Sequence, residues 1–355
     1  MVAIGQSQVC IVGFGARTPV GTNAVSSAAA VRAGIAMFAE HPYMVDKDGN
    51  RMIVAMDAFL SDDVGSAHSF LEIGLTAAEE ALAPLLHMLG RAESIQMLIG
   101  LPEKRPGLPN ALSEKITAHF KHAFQEHFRV MEVETFNAGH SAGLMALEEG
   151  FYRILHGSAE ICLVGGIESY RAPESLEWLD DEGQLHSEGN NWGFIPGEAA
   201  GFCLICSKNV ADLFKLEILG KILSVATELE TNLIKTDSVC LGKGLSKAVK
   251  QVLNSLSPET KVDYMICDVN GEPYRGDELG YTFVRISGRF NDPSDFITPA
   301  DCWGDVGAAS GPLYITLAIV AGLKGYAKGP HTLVWTSSEG GQRSAALLYT
   351  GDFGG

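Results

Sequence analysis

A single imidazole stands in the sharpest small-residue turn of the chain. In "NAGHSAG" (137–143) His140 lies between Gly139 and Ser141, after the strand pattern "RVMEVETF" and before the helical "LMALEEGFYRILHGSA". A strand that turns abruptly into a helix gathers free backbone N–H groups and the positive end of the helix dipole at one point, which favours an anion and builds half an oxyanion hole. A thiolate would be activated there. An imidazole can also accept an acyl group, but acyl-imidazoles hydrolyse readily, and the helix terminus is expected to bias His140 towards its neutral form. Ser141 is a conceivable nucleophile beside it.

Other polar residues read more plainly. Glu198 in "IPGEAAG" and Glu168 in "GGIES" read as acceptors for buried backbone donors. The run "EWLDDEGQLHSEGNN" (177–191) reads as a solvated surface loop, because its acidic residues lack metal-ligand spacing. Cys203 and Cys206 fall in a strand pattern, "GFCLICS", where positions three apart face opposite ways, so a redox or zinc pair is not expected. No second such pair completes a metal site, and neither a metal nor a cofactor is implied. Seven scattered cysteines suit reduced buried thiols.

The elements that position these residues alternate between strand and helix. "VCIVGFGA", "IQMLIGLP", "RVMEVETF" and "EICLVGGIES" are strand-like, whereas "SFLEIGLTAAEEALAPLLHML" and "ALSEKITAHFKHAFQEHF" have apolar residues three and four apart. The order repeats loosely, from "LEILGKILSVATEL" through "LGKGLSKAVKQVLNSL" and "VDYMICDVNG" to the very apolar helix "GAASGPLYITLAIVAGLKG" and two closing strands in "HTLVWTSSEGGQRSAALLYT". This predicts an α/β fold of two similar halves, 1–212 and 213–355, without a residue-level repeat.

Composition narrows the partners. A net charge of −17 repels a phosphate backbone, and no Lys/Arg cluster with interleaved aromatics offsets it, so nucleic acid is not expected. No apolar run reaches the roughly 18 residues that span a bilayer. The N-terminus runs apolar into a strand pattern without a basic leader, and a cytoplasmic location is expected.

Four ordered landmarks and a closing turn carry a resemblance to the thiolase and β-ketoacyl synthase superfamily. "NAGHSAGLMALEEG" resembles the nucleophile turn "TACSSGLHAL"; "CLVGGIESY" is similar to "AGGxE"; "GFIPGEAAGFCLI" is similar to "GFVxGEGAGxxVL". "GDVGAASGPLYITLA" resembles "GHxxAAAGxxGxxxA", and "TSSEGGQRSAALL" resembles the terminal Gly-rich turn. The resemblance implies a five-layered αβαβα thiolase-like fold around a central buried helix pair. It also implies a homodimer, or a heterodimer with a related thiolase-fold subunit, joined edge to edge, with "EICLVGGIES" as the candidate edge.

Residue by residue, the resemblance puts His140 where the condensing cysteine belongs, Asn270 of "CDVNGEPYRGDE" at the first histidine, and Asp305 at the second. Asn270 can still donate to an oxyanion, but a carboxylate at 305 opposes an anionic transition state. Glu339, Gly340 and Gly341 replace the usual final turn, without its phenylalanine. None of Cys162, Cys203, Cys240, Cys267 or Cys302 follows the strand and turn that the nucleophile requires. The expected function is a ketosynthase-like protein without the condensing triad: a scaffold, partner subunit or adaptor in a biosynthetic or secretion assembly. Acyl carrier protein or another protein is the expected partner. On that reading His140 fills the space of the lost thiol and Asp305 caps the following helix. The alternatives are an acyl-thioester hydrolase or decarboxylase using His140 and Asp305, and a divergent 3-oxoacyl-ACP synthase.

Overall fold

The computed structural model describes residues 8–60, 67–86, 94–233, 236 and 238–351; the leader reading concerns residues 1–7, outside that set. The first strand, β1 (Val9–Arg17), leads to α1 (Ala24–Arg32), whose N-terminus is closed by a reciprocal Asn23–Ser26 capping box. A two-stranded ribbon, β2 (Ala39–Val45) and β3 (Arg51–Val54), precedes α2 (His68–Leu86), β4 (Ser94–Leu101), α3 (Leu112–Phe124) and β5 (Arg129–Asn137). Then come α4 (Ala142–Leu155), β6 (Ile161–Ser169), α5 (Pro173–Asp181), β7 (Glu198–Ser207), α6 (Lys208–Phe214), β8 (Gly220–Leu229) and α7 (Lys243–Leu253). The chain ends with β9 (Tyr264–Cys267), α8 (Pro273–Ile286), α9 (Ala300–Trp303), α10 (Ser310–Leu323), β10 (His331–Ser337) and β11 (Gln342–Tyr349).

Nine strands form one mixed sheet in the order β5-β4-β6-β7-β1-β8-β11-β10-β9. Side-chain alternation along them sorts the core into layers. On β6, Cys162 and Val164 join the cluster that holds α4 and α10, whereas Ile161, Leu163 and Ile167 join α2 and α3 on the other face. On β10 and β11, Val334, Ala346 and Leu348 face α4 and α10, whereas Leu333, Trp335, Ala345 and Leu347 face α7 and α8. Helices, strands, central helices, strands and helices therefore alternate in five layers. The central α10 is buried along Ser310–Ala321, as an element apolar all round must be. Cys203 faces the central layer and Cys206 the outer one, as strand geometry requires.

Two expectations are corrected. The strand in "EICLVGGIES" is no edge: β6 is hydrogen-bonded to β4 on one side and β7 on the other. Its unbroken apolar run is the mark of a strand covered on both faces, and an edge strand reads differently. The open edge is β5, where Arg129, Met131 and Glu132 are exposed; β9, at the other end, exchanges backbone bonds with Ile297. Residues 177–191 are also not simply a solvated loop. They finish α5 and bury Leu179, Asp180, Gln184 and Leu185, because Leu179 and Leu185 pack with Met52, Val54 and Phe194 under the β2–β3 ribbon. Among the described residues no helix is long and apolar enough to cross a membrane.

Candidate functional site

The turn out of β5 is built on Gly139, whose φ of +61° lies in the left-handed region that a side chain disfavours. One 3₁₀ turn, Gly139–Ser141, then feeds α4. The turn is fastened to the far end of the chain: the Ser141 N–H donates to Ser338 Oγ at 2.8 Å, and Ser338 Oγ donates to the Ala138 carbonyl. The Ser141 hydroxyl lies 3.0 Å from the carbonyls of both Thr336 and Gln342 and is fully buried. It is therefore spent on backbone acceptors rather than presented as a nucleophile.

The entry to α10 repeats this turn. Gly307, at φ +40°, opens a 3₁₀ turn Gly307–Ala309 that runs into the helix, so Gly139-His140-Ser141-Ala142-Gly143 matches Gly307-Ala308-Ala309-Ser310-Gly311 in backbone. Of these five positions only the two glycines are shared in sequence. The two helices meet through those glycines: a Cβ on Gly143 would come within 2.5 Å of Pro312 Cδ, and one on Gly311 within 2.5 Å of Leu144 Cγ.

The structure brings His140, Asn270 and Asp305 together. His140 Nε2 is 2.8 Å from both Asp305 oxygens, and Asn270 Nδ2 donates to Asp305 Oδ2 at 2.6 Å. Asp305 Oδ1 also accepts the Gly307 N–H at 2.9 Å, a turn contact two residues on; the helix cap expected of Asp305 is not made, since α10 begins at Ser310 with Ala309 at its cap position. Burial alone would raise the Asp305 carboxyl, but His140, Arg275 and the Gly307 N–H hold it well below the usual carboxylate range. Burial likewise pulls His140 down, yet Asp305 outweighs burial and the Arg275 charge, and the imidazole lies above its ordinary 6.5. Asp305 at hydrogen-bond distance thus works against the bias towards neutral His140 expected from the helix terminus.

Sequence reasoning missed the residues that enclose this pair. Pro273 starts α8, placing Arg275 one turn from Glu272. Arg275 donates to Asp268 Oδ2 at 2.7 Å and to the Ser337 carbonyl at 2.8 Å, and its Nη2 lies 3.1 Å from His140 Nε2. Glu272 links Asn270, Arg275 and Gln184. All five charged members of the network, His140, Asp268, Glu272, Arg275 and Asp305, are buried. The only local signal was one arginine among acids in "CDVNGEPYRGDE".

Glu168 and Glu198 behave as expected of structural carboxylates. Glu168 accepts from Arg105 at 2.7 Å and from the Ser169 and Ala308 N–H groups; Glu198 accepts from the Asp57 N–H, Ser169 Oγ and Arg171. A cavity of about 200 Å³ opens beside Gly139 and His140 and reaches Glu103, Arg105, Trp178 and Glu339. No cysteine lines it. Burial pushes the Cys162, Cys203 and Cys206 thiols up to about 12, so they are poor nucleophiles.

No protein-family model matches the sequence, and no curated protein matches it significantly. Solved structures do. A chain of AntDE:AntF, a type II PKS acyl-carrier protein in complex with its ketosynthase bound to the hexaketide, superposes with a TM-score of 0.80 at 16% identity, over 98% of this chain and 100% of that one. The ishigamide ketosynthase/chain length factor gives a TM-score of 0.81 at 15% identity, over 98% and 100%. The ketosynthase from module 6 of the bacillaene synthase of Bacillus subtilis 168 gives 0.78 at 15%, over 97% of this chain and 72% of that one.

The chain has a thiolase-like ketosynthase fold. At this identity the likeness concerns the fold. On that ketosynthase fold, the turn into the central helix α4 presents an imidazole paired with a carboxylate from the entry to the other central helix, α10.

Proposed function

We propose that this protein is a ketosynthase-like subunit that does not condense acyl groups and serves as a scaffold, partner or adaptor in the cytoplasm. In this reading His140, Asn270 and Asp305 stand at the three positions of a condensing triad, and the halves 1–212 and 213–355 are the two units of the fold. The observation that carries it is the buried His140–Asp305 pair at 2.8 Å. An imidazolium has no lone pair with which to attack a thioester, and a carboxylate beside it repels a developing enolate or oxyanion. The chemistry of condensation is opposed on both counts.

The partner of such a subunit is a second thiolase-fold chain, identical or related, added at the open edge of β5. The ketosynthase of AntDE:AntF is captured with an acyl-carrier protein, which makes a carrier protein the first partner to test.

One observation favours a second reading. Asp305 holds His140 by Nε2, and Nδ1 makes no hydrogen bond to any described residue, an arrangement in which that nitrogen can act as a base once the ring is neutral. A single experiment separates the two. The full chain is incubated with a panel of acyl-CoA and acyl-carrier-protein thioesters and followed by intact-mass spectrometry and thiol release. We expect neither adduct nor turnover above buffer; thioester hydrolysis abolished by His140→Ala establishes the hydrolase instead, and a stoichiometric acyl adduct overturns the scaffold.

A further inference from the structure

The outer face of α1 does not read like that of a solvated helix. Its inner side buries Ala24, Ser27, Ala28 and Ala30; its outer side exposes Val25 and Ala29, followed at the same spacing by the cap residue Ala33, where a surface helix normally carries charge. Arg32, in the last turn, is the only charged residue of the helix. With Val320 of α10, and Lys324 and Tyr326 just past its end, these residues line a trough of about 420 Å³. That lies within the roughly 300 to 1,000 Å³ of small-molecule sites. The trough shares no lining residue with the cavity beside His140.

Two cations stand at this apolar floor, and neither is paired. The Arg32 guanidinium lies 4.1 Å from the centre of the Tyr326 ring, a cation–π contact that leaves its N–H groups available. The side chains of Arg32 and Lys324 make no hydrogen bond or ion pair to any described residue, whereas Lys328, four residues on, is held by Asp295. No carboxylate lines the trough. The C-termini of α1 and α10 count against the cations, since each helix end brings about half a negative charge. Together they offset about one of the two positive charges and leave about one. This is a local excess of the opposite sign in a chain of formal charge −17. A bare anion would gain nothing from the apolar floor, and a neutral hydrocarbon nothing from the cations. An anionic head on an aliphatic chain gains from both.

We propose that this trough binds a free fatty acid. Its carboxylate accepts from Arg32 and Lys324, and its alkyl chain lies over Val25, Ala29, Ala33 and Val320. The ligand is a free acid taken from solution and not a thioester, so the assignment stands apart from the reading of His140 and Asp305.

The test is titration calorimetry on the full chain with straight-chain fatty acids from hexanoate to hexadecanoate, each below its critical micelle concentration. The methyl ester and the primary amine of the tightest-binding length are titrated beside them. Affinity is expected to rise about two- to fourfold with each added methylene until the trough is filled, and the ester and amine to bind at least about tenfold more weakly. Arg32→Gln and Lys324→Gln should each lower the affinity for the acid by about fivefold and leave that for the ester unchanged. Ala29→Phe, which fills the trough, should lower both by about tenfold. All three positions are exposed, so the variants keep the fold. An acidic amphipathic peptide is titrated in parallel. Absence of binding by every acid, equal binding of the ester or amine, full affinity in Ala29→Phe, or Arg32-dependent binding of the peptide alone overturns the proposal. The last result would make the trough a docking site for a protein segment.

Discussion

The His140–Asp305 pair sets the energetics of the site. Removing one partner of a buried ion pair strands the other, at about 3–5 kcal/mol, so His140→Ala should lower stability by that amount in denaturant unfolding. His140→Ala/Asp305→Ala together should cost less than the sum of the single changes. The pH dependence has two opposite arms. His140 is raised, so its contribution is full below 6.5 and is lost as pH rises through its higher folded value. Asp305 is depressed, so its contribution is full above its ordinary 3.8 and is lost as pH falls through its lower folded value. Wild type should therefore lose stability on the alkaline side of 6.5 with a slope that His140→Gln lacks. A stability profile identical in the two proteins would refute the ion pair. The positions of His140, Asn270 and Asp305 were legible because each sits in a short motif with its own turn chemistry. The direction in which His140 is shifted was not, since a motif records a residue and its neighbours in sequence, while Asp305 and Arg275 reach His140 from 165 and 135 residues away.

At the level of elements, the apolar runs and helical spacings placed the long strands and helices α2, α3, α4, α7 and α10, but not β2, α5, α6 or α8, and the alternation of buried clusters shows why the long elements were readable. What they could not give was strand order. β6 and β5 are both strands of the first half, but only pairing decides which one is left with an unsatisfied side. The burial pattern held the answer: all nine residues of β6 are buried, whereas β5 shows exposed Arg129, Met131 and Glu132. Met131 is also skipped in the register with β4, so any added strand must pair beyond it, along 132–137. Adjacent residues send their N–H groups to opposite sides of a strand. Of Glu134→Pro and Thr135→Pro, then, one removes only an outward N–H. Light scattering should find wild type at about twice the 37.9 kDa chain mass and that variant monomeric yet folded by circular dichroism. Two dimeric proline variants would exclude this edge as the interface.

Across the whole molecule, the central layer draws on both of the proposed halves. Its cluster takes α4 with β6 and β7 from one side and α10 with β8, β10 and β11 from the other, and β1 joins β8 through Val9–Ile11 and Gly220–Ile222. Residues 1–212 and 213–355 expressed separately should each lack a cooperative thermal transition, and the intact chain should melt once. A fragment that melts cooperatively alone would show that each half has a core of its own.

On the proposed division of the chain, the buried pair also straddles the seam. His140 arrives with one half and Asp305 with the other, so their electrical balance cannot be transmitted by either alone. Replacing residues 1–212 by a segment with a neutral residue at position 140 would leave Asp305 without its imidazole, and replacing 213–355 would take Asp305 and Arg275 away from His140 together. Either exchange would bury a charge without its partner, so a tolerated change at one position calls for a matching change at the other.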